Sequence, residues 1–180
     1  QVQLEATGAD ISATSLGNTV KGLNRDVTIR DIVSTYIYPN TLKTLCVTRA
    51  QLKCALERSA EYFAIDADGK LKVSESFLTP IEQHFNYDYF SGIEAAFDIR
   101  RSVGDRVVSI KYKGEELSGD KRLTLCMNNY RASGAGGYDI YRQCQTVREL
   151  PTEIAELIIA YVDKHRNITV DKHKWLKLIY

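Results

Sequence analysis

The sequence predicts an α+β fold, and two observations carry that assignment. Strand-like stretches come in consecutive runs and outnumber helices, which fall between the runs instead of alternating with single strands as a doubly wound parallel sheet requires. At 180 residues, with 44% hydrophobic and 26% charged side chains, the chain is long enough to enclose one well-buried core, and one compact domain over residues 1–180 is expected.

Taken in order, residues 9–14 read as a first strand and 29–37 as a short helix. Residues 42–47 are a buried strand. Thr48 and Gln51 then form a capping box that opens a helix, with Leu52, Leu56 and Phe63 on one stripe and Gly69 just past its end. Residues 66–86 hold Asp, Ser and Pro with little periodicity and read as a surface excursion of the kind that often carries function. Strand patterns return at 93–99, 106–112 and 122–128. Turn chemistry at 113–120 separates the last two, so an antiparallel meander is expected. Pro151 suits a first helical turn, and Ile154, Leu157, Ile158, Tyr161 and Val162 follow the i, i+3, i+4, i+7, i+8 spacing of an amphipathic helix. Residues 170–179 read as a lysine-rich terminal edge strand.

Charge and composition exclude several classes of function. A net charge of +1 argues against a grip on nucleic-acid polymer, which needs a concentrated positive excess. No apolar run reaches the ~20 residues that span a bilayer. Cys46, Cys54, Cys126 and Cys144 form no Cys-x-x-Cys pair and read as reduced, mostly buried thiols. His84, His165 and His173 lack metal-ligand spacing, and there is no Gly-x-Ser-x-Gly elbow. Met127 is the only methionine, so the chain is expected to be a piece of a longer polypeptide.

Two stretches point to a ligand. In Asn128-Asn129-Tyr130-Arg131-Ala132-Ser133-Gly134-Ala135-Gly136-Gly137-Tyr138, an aromatic ring, a guanidinium and paired amides precede a loop with little side-chain bulk. Backbone at Gly134, Gly136 and Gly137 would approach a flat polar ligand closely, and Tyr130 would stack on a nucleobase. The loop is no phosphate cradle, because Tyr138 and Asp139 stand where a P-loop needs Lys and Ser or Thr. The second stretch, residues 85–90, packs four aromatic residues into six positions. Tyr87 and Phe90 are the expected partners that complete a sandwich around the base. The competing reading of the glycine stretch is a bare hairpin without a ligand.

Ala9 to Leu16, Tyr38-Pro39-Asn40-Thr41-Leu42, Tyr87-Asp88 through Gly92-Ile93, and Asn128 to Gly137 resemble, in order and spacing, the C-terminal domain of the 5'-nucleotidase family. Asn-Asn-Tyr-Arg-Ala before the glycines is most similar to the bacterial 2',3'-cyclic-nucleotide 2'-phosphodiesterase/3'-nucleotidase branch. The resemblance implies a four-layer α/β/β/α sandwich that binds the nucleoside part of a nucleotide. It also implies an N-terminal metallophosphoesterase domain, absent here, that holds two divalent metal ions, so no catalytic residue or metal ligand is expected in this chain. It implies an extracytoplasmic setting, periplasmic, secreted or attached to the cell wall. By position it assigns Tyr130 as one stacking ring and Tyr87 or Phe90 as the other. Asn128 and Asn129 fall at the base edge, with the alternative that one of them only ties down the loop, and ribose contacts fall to loop backbone or Asp139. Ser15-Leu16-Gly17-Asn18 stands where classical 5'-nucleotidases carry Gly-Gly-x-Arg. The alternative from another class is an adhesion or spacer module that keeps the fold without the ligand.

Overall fold

The computed structural model describes residues 1–18 and 20–180. Its elements run α1 (Val2–Thr7), β1 (Ile11–Thr14), α2 (Ile29–Thr35), β2 (Leu42–Thr48), α3 (Arg49–Ala60), β3 (Phe63–Ile65) and β4 (Leu71–Val73). They continue with β5 (Tyr89–Ser91), β6 (Glu94–Asp98), β7 (Val107–Tyr112), β8 (Glu115–Glu116), β9 (Arg122–Asn128), α4 (Asn129–Ala132), β10 (Gln145–Leu150), α5 (Ile154–His165) and β11 (Leu176–Ile179). The fold is mixed α+β, as the grouping of strands predicts.

Two sheets share one core. The larger has the order β10-β2-β9-β1-β5, and the smaller β11-β6-β7-β8. Register decides which side chains face inward, because alternate residues of a strand point to opposite faces. Leu45 pairs with Leu125, Val47 with Leu123, and Ile11 with Leu125, so these residues lie on one face of the larger sheet. They meet Ala95, Phe97 and Ile110 of the smaller sheet and Leu52, Ala55 and Leu56 of α3 in a single cluster. Each fully buried leucine there contributes roughly 1.5–3 kcal/mol relative to exposure.

Helix α3 begins as the sequence predicts. The Thr48 side chain accepts from the Gln51 N–H, and the Gln51 side chain accepts in return from the Thr48 N–H. The helix ends at Ala60, before the stripe reaches Phe63. Arg106 Nη1 donates to the carbonyls of Ala60 and Phe63, taking up the freed acceptors. Phe63 instead pairs with Val73 in the β3–β4 hairpin, and Gly69 sits in its turn. The 66–86 excursion therefore holds a strand and two short 3₁₀ turns.

The meander from 93 to 128 is not formed. β7 pairs with β6 and β8, whereas β9 crosses to the larger sheet, antiparallel to β2 and parallel to β1. Leu117 explains the crossing: its side chain is buried in the core, and its carbonyl accepts from Arg49 Nε at 2.6 Å. Two carboxylates, Glu57 buried and Asp10 half-buried, tie the layers together. Glu57 of α3 accepts from the N–H groups of Arg106 and Val107 at the start of β7. Asp10 accepts from the Tyr112 phenol of the smaller sheet and from the Thr124 N–H and hydroxyl of the larger. β11 is an edge strand, as predicted, and lies parallel to β6.

Candidate functional site

The face of the larger sheet turned away from the core forms the floor of a recess of about 770 Å³. Ser12 pairs with Ser91 and Thr14 with Tyr89, so β1 and β5 present these four side chains on the outer face, with Asn128 of β9 at one end. One wall is built by Gln1, by Val2, Gln3 and Leu4 of α1, and by Ile154 and Ile158 of α5. The others come from the 35–40 segment and from Ile168, Val170, Asp171 and Trp175. Among the described residues no lysine, arginine or histidine lines the recess, and Asp171 is its one carboxylate. Asp171 is held below the usual range by hydrogen bonds from the His173 N–H and the Trp175 indole.

Tyr130 belongs to this recess. It stands on the four-residue helix α4, its ring 49% exposed at the rim. Asn128 caps that helix by accepting from the Arg131 N–H at 2.6 Å, and it lines the recess beside Tyr36, whose phenol is pushed up by burial. Asn129 faces elsewhere: its amide oxygen accepts from the Thr41 N–H, fastening the loop to the segment before β2.

The partner rings differ from those read in the sequence. Tyr87 packs on Tyr62, with centroids 4.7 Å apart, and edge-on against Phe63, outside the recess. Burial pushes its phenol far up. Phe90 pairs with Ala13 on the inner face and is 6% exposed. The rings of that stretch which do line the recess are Phe85 and Tyr89. Strand alternation is the signal that would have found Tyr89, since a core-facing Phe90 sends both of its neighbours outward.

The glycine loop also has a different purpose from the one its composition suggests. Gly134, Gly136 and Gly137 all adopt positive φ. A Cβ at each would press on an arginine: Arg142 at Gly134, Arg131 at Gly136 and Arg58 at Gly137. The missing side chains make room for guanidinium groups, and none of the three glycines lines the recess. Asp139 lies outside it as well, exposed, 3.5 Å from Arg142. Arg131 is not a ligand-facing cation but a buried one, 2% exposed, paired with Asp88. Burial drives the Asp88 carboxyl up to about 6, with Arg131 and then Arg58 pulling the other way. Of the ten residues read as site candidates, Tyr130 and Asn128 line the recess.

Among the described residues no three His, Cys, Asp or Glu side chains come together to hold a metal ion. The two divalent ions implied by the resemblance find no ligand set here, and no chemical step is assigned to this chain. All four cysteines are free, and among the described residues no helix is long and apolar enough to cross a membrane.

Fold and recess together define an α+β domain arranged around a concave, largely uncharged surface. Residues 1–143 match the family model described as 5'-nucleotidase, C-terminal domain, and the chain belongs to that family of nucleotide hydrolases. A Staphylococcus aureus crystal structure, provisionally assigned as a 5'-nucleotidase and solved with α-ketoglutarate, is 36% identical. It superposes with a TM-score of 0.93 over 99% of this chain and 35% of its own. The Bacillus subtilis trifunctional nucleotide phosphoesterase YfkN is 23% identical over 79% of the chain and 10% of its own length. A Haemophilus influenzae 2',3'-cyclic-nucleotide 2'-phosphodiesterase/3'-nucleotidase is 30% identical over 60% of the chain and 18% of its length. The chain thus spans about a tenth to a third of these relatives.

Proposed function

We propose that this chain recognises the nucleoside part of the substrate in an extracytoplasmic nucleotide hydrolase, with Tyr130 stacking on the base from one side of the recess and Phe85 or Tyr89 from the other. The observation that carries this reading is the recess itself: Tyr36, Tyr38, Phe85, Tyr89, Tyr130 and Trp175, with the amides of Asn40 and Asn128, surround a volume of about 770 Å³, and no cationic side chain lines its wall among the described residues. That volume falls within the range of small-molecule sites. A wall without Lys or Arg offers a phosphate nothing to pair with, so the uncharged base and sugar enter while the phosphoryl group stays outside. Hydrolysis then belongs to a metallophosphoesterase domain of the same polypeptide, whose two metal ions supply the activated water. The activities of relatives named as 2',3'-cyclic-nucleotide 2'-phosphodiesterase/3'-nucleotidases support this substrate class.

Calorimetry on this chain tests the reading. Adenosine and 3'-AMP should release heat with similar affinities, because the recess does not contact the phosphate. Tyr130→Ala should weaken both by roughly five- to 150-fold, the equivalent of the ~1–3 kcal/mol of one base–aromatic stack. Absence of heat at millimolar adenosine would overturn the proposal and favour the ligand-free spacer module.

A further inference from the structure

A single buried guanidinium joins the two stretches that carry the rings of the recess. Arg131 Nε stands 2.9 Å from Oδ2 and 3.0 Å from Oδ1 of Asp88, with the aligned hydrogen bond to Oδ1. Its Nη2 donates to the Phe85 carbonyl at 2.7 Å, and its Nη1 donates to the Ala135 carbonyl. The guanidinium lies 4.5 Å from the centroid of Tyr138 and 6.0 Å from that of Tyr130. Asp88 is fixed in turn, since its N–H donates to the Tyr138 phenol, which bonds to Ser59 of α3. Gly136 keeps its loop close to the guanidinium, because a Cβ there would collide with Nη1.

These contacts fall in a telling place. Arg131 follows Tyr130 directly on α4, while Phe85 and Tyr89 flank Asp88 in sequence. Every arm of the fork therefore ends either on the stretch that carries Phe85 and Tyr89 or on the loop that follows Tyr130. A buried ion pair is weak evidence for stability, because removing two charges from water cancels most of their attraction. The planar guanidinium directs its nitrogens at three separate acceptors, the Asp88 carboxylate and the carbonyls of Phe85 and Ala135, and so fixes their separation in a way a lysine ammonium cannot.

We propose that Arg131 is a positioning residue whose fork, bonded to Asp88 and to the Phe85 carbonyl, sets the width of the slot between Tyr130 and the Phe85–Tyr89 rings. The proposal rests on the reading of the recess as a nucleoside site. The residue does not touch the ligand; it acts through Tyr130.

A double-mutant cycle tests it. Adenosine affinity is measured by calorimetry for the unmodified chain, Arg131→Lys, Tyr130→Ala and the double variant. Arg131→Lys should weaken binding about tenfold in the native background, as expected for two members of one network, and less than twofold once Tyr130 is alanine. Equal losses in both backgrounds, or no loss in either, would overturn the proposal. Asp88→Asn, which keeps the side-chain shape, replaces Arg131→Lys in the cycle if the lysine variant does not fold. A second readout is independent of any ligand. In protein carrying 3-fluorotyrosine, the ¹⁹F resonance of Tyr130, identified by its loss in Tyr130→Phe, should move or broaden in Arg131→Lys while that of Tyr180 stays in place. An unmoved Tyr130 resonance would overturn the positioning role even if adenosine does not bind, whereas missing adenosine heat with a shifted resonance would count against the nucleoside reading alone.

Discussion

At the scale of single residues, the molecule relies on a few buried or half-buried polar groups that each bridge elements distant in sequence. Asp10 is the clearest. Burial pushes its carboxyl up, but hydrogen bonds from Tyr112 and Thr124 outweigh that effect and hold it below the ordinary value. Such bonds to a charged acceptor are worth about 1–3 kcal/mol in sum. Asp10→Asn should therefore lower the urea-denaturation free energy by about that amount at pH 7. A group with a depressed folded-state pKa contributes stability above its unfolded value and loses it as pH falls, so the gap between the two proteins should narrow at pH 3. Sequence alone singled out Tyr130 and Asn128 as a ring and an amide beside a glycine loop, and both line the recess. It could not reveal Arg131 as buried, since an arginine looks the same on paper whether or not an aspartate forty residues earlier folds over it. The three glycines misled for the same reason: space made for a ligand and space made for a neighbouring side chain leave the same letters.

Secondary-structure elements show a similar division. The start of α3 was legible because a capping box is local, with Thr48 and Gln51 each bonded to the other's backbone. Thr48→Ala should cost about 1 kcal/mol in chemical denaturation, the usual worth of such a cap. An unchanged midpoint would mean that the helix is held by its packing alone. The end of α3 was not legible, because Arg106, far along the chain, decides it. β9 was placed correctly as an element and wrongly as a partner. Its apolar alternation is written in residues 122–128, but its neighbours depend on where buried Leu117 directs the linker. Tyr87 and Phe90 were read as ring candidates in a dense aromatic stretch whose two faces separate only once β5 pairs with β1.

On the scale of the whole molecule, pH dependence is set by carboxylates with opposite tendencies. Arg100 holds Asp98 down to about 2, chiefly through its side-chain hydrogen bond, so the stability Asp98 provides is present above about 3.8 and is lost as pH drops toward 2. Asp88 behaves in the reverse sense. Between about 3.8 and 6 the folded protein holds a proton there that the unfolded chain has released, and stability declines as pH rises through that window. The melting temperature should therefore climb from pH 2 to 4, with Asp88 opposing any further rise from 4 to 6. Asp98→Asn should flatten the climb at low pH, as differential scanning calorimetry across that range would record.

Strand β1 lies between β9 and β5 in the interior of the larger sheet, though it is the first strand of the chain. During synthesis on the ribosome it emerges before either neighbour exists, and neither of its edges can be matched until residues 89–91 and 122–128 have followed. Ile11 and Ala13 therefore stay without their sheet partners until those residues have been made, so the larger sheet closes late around this strand.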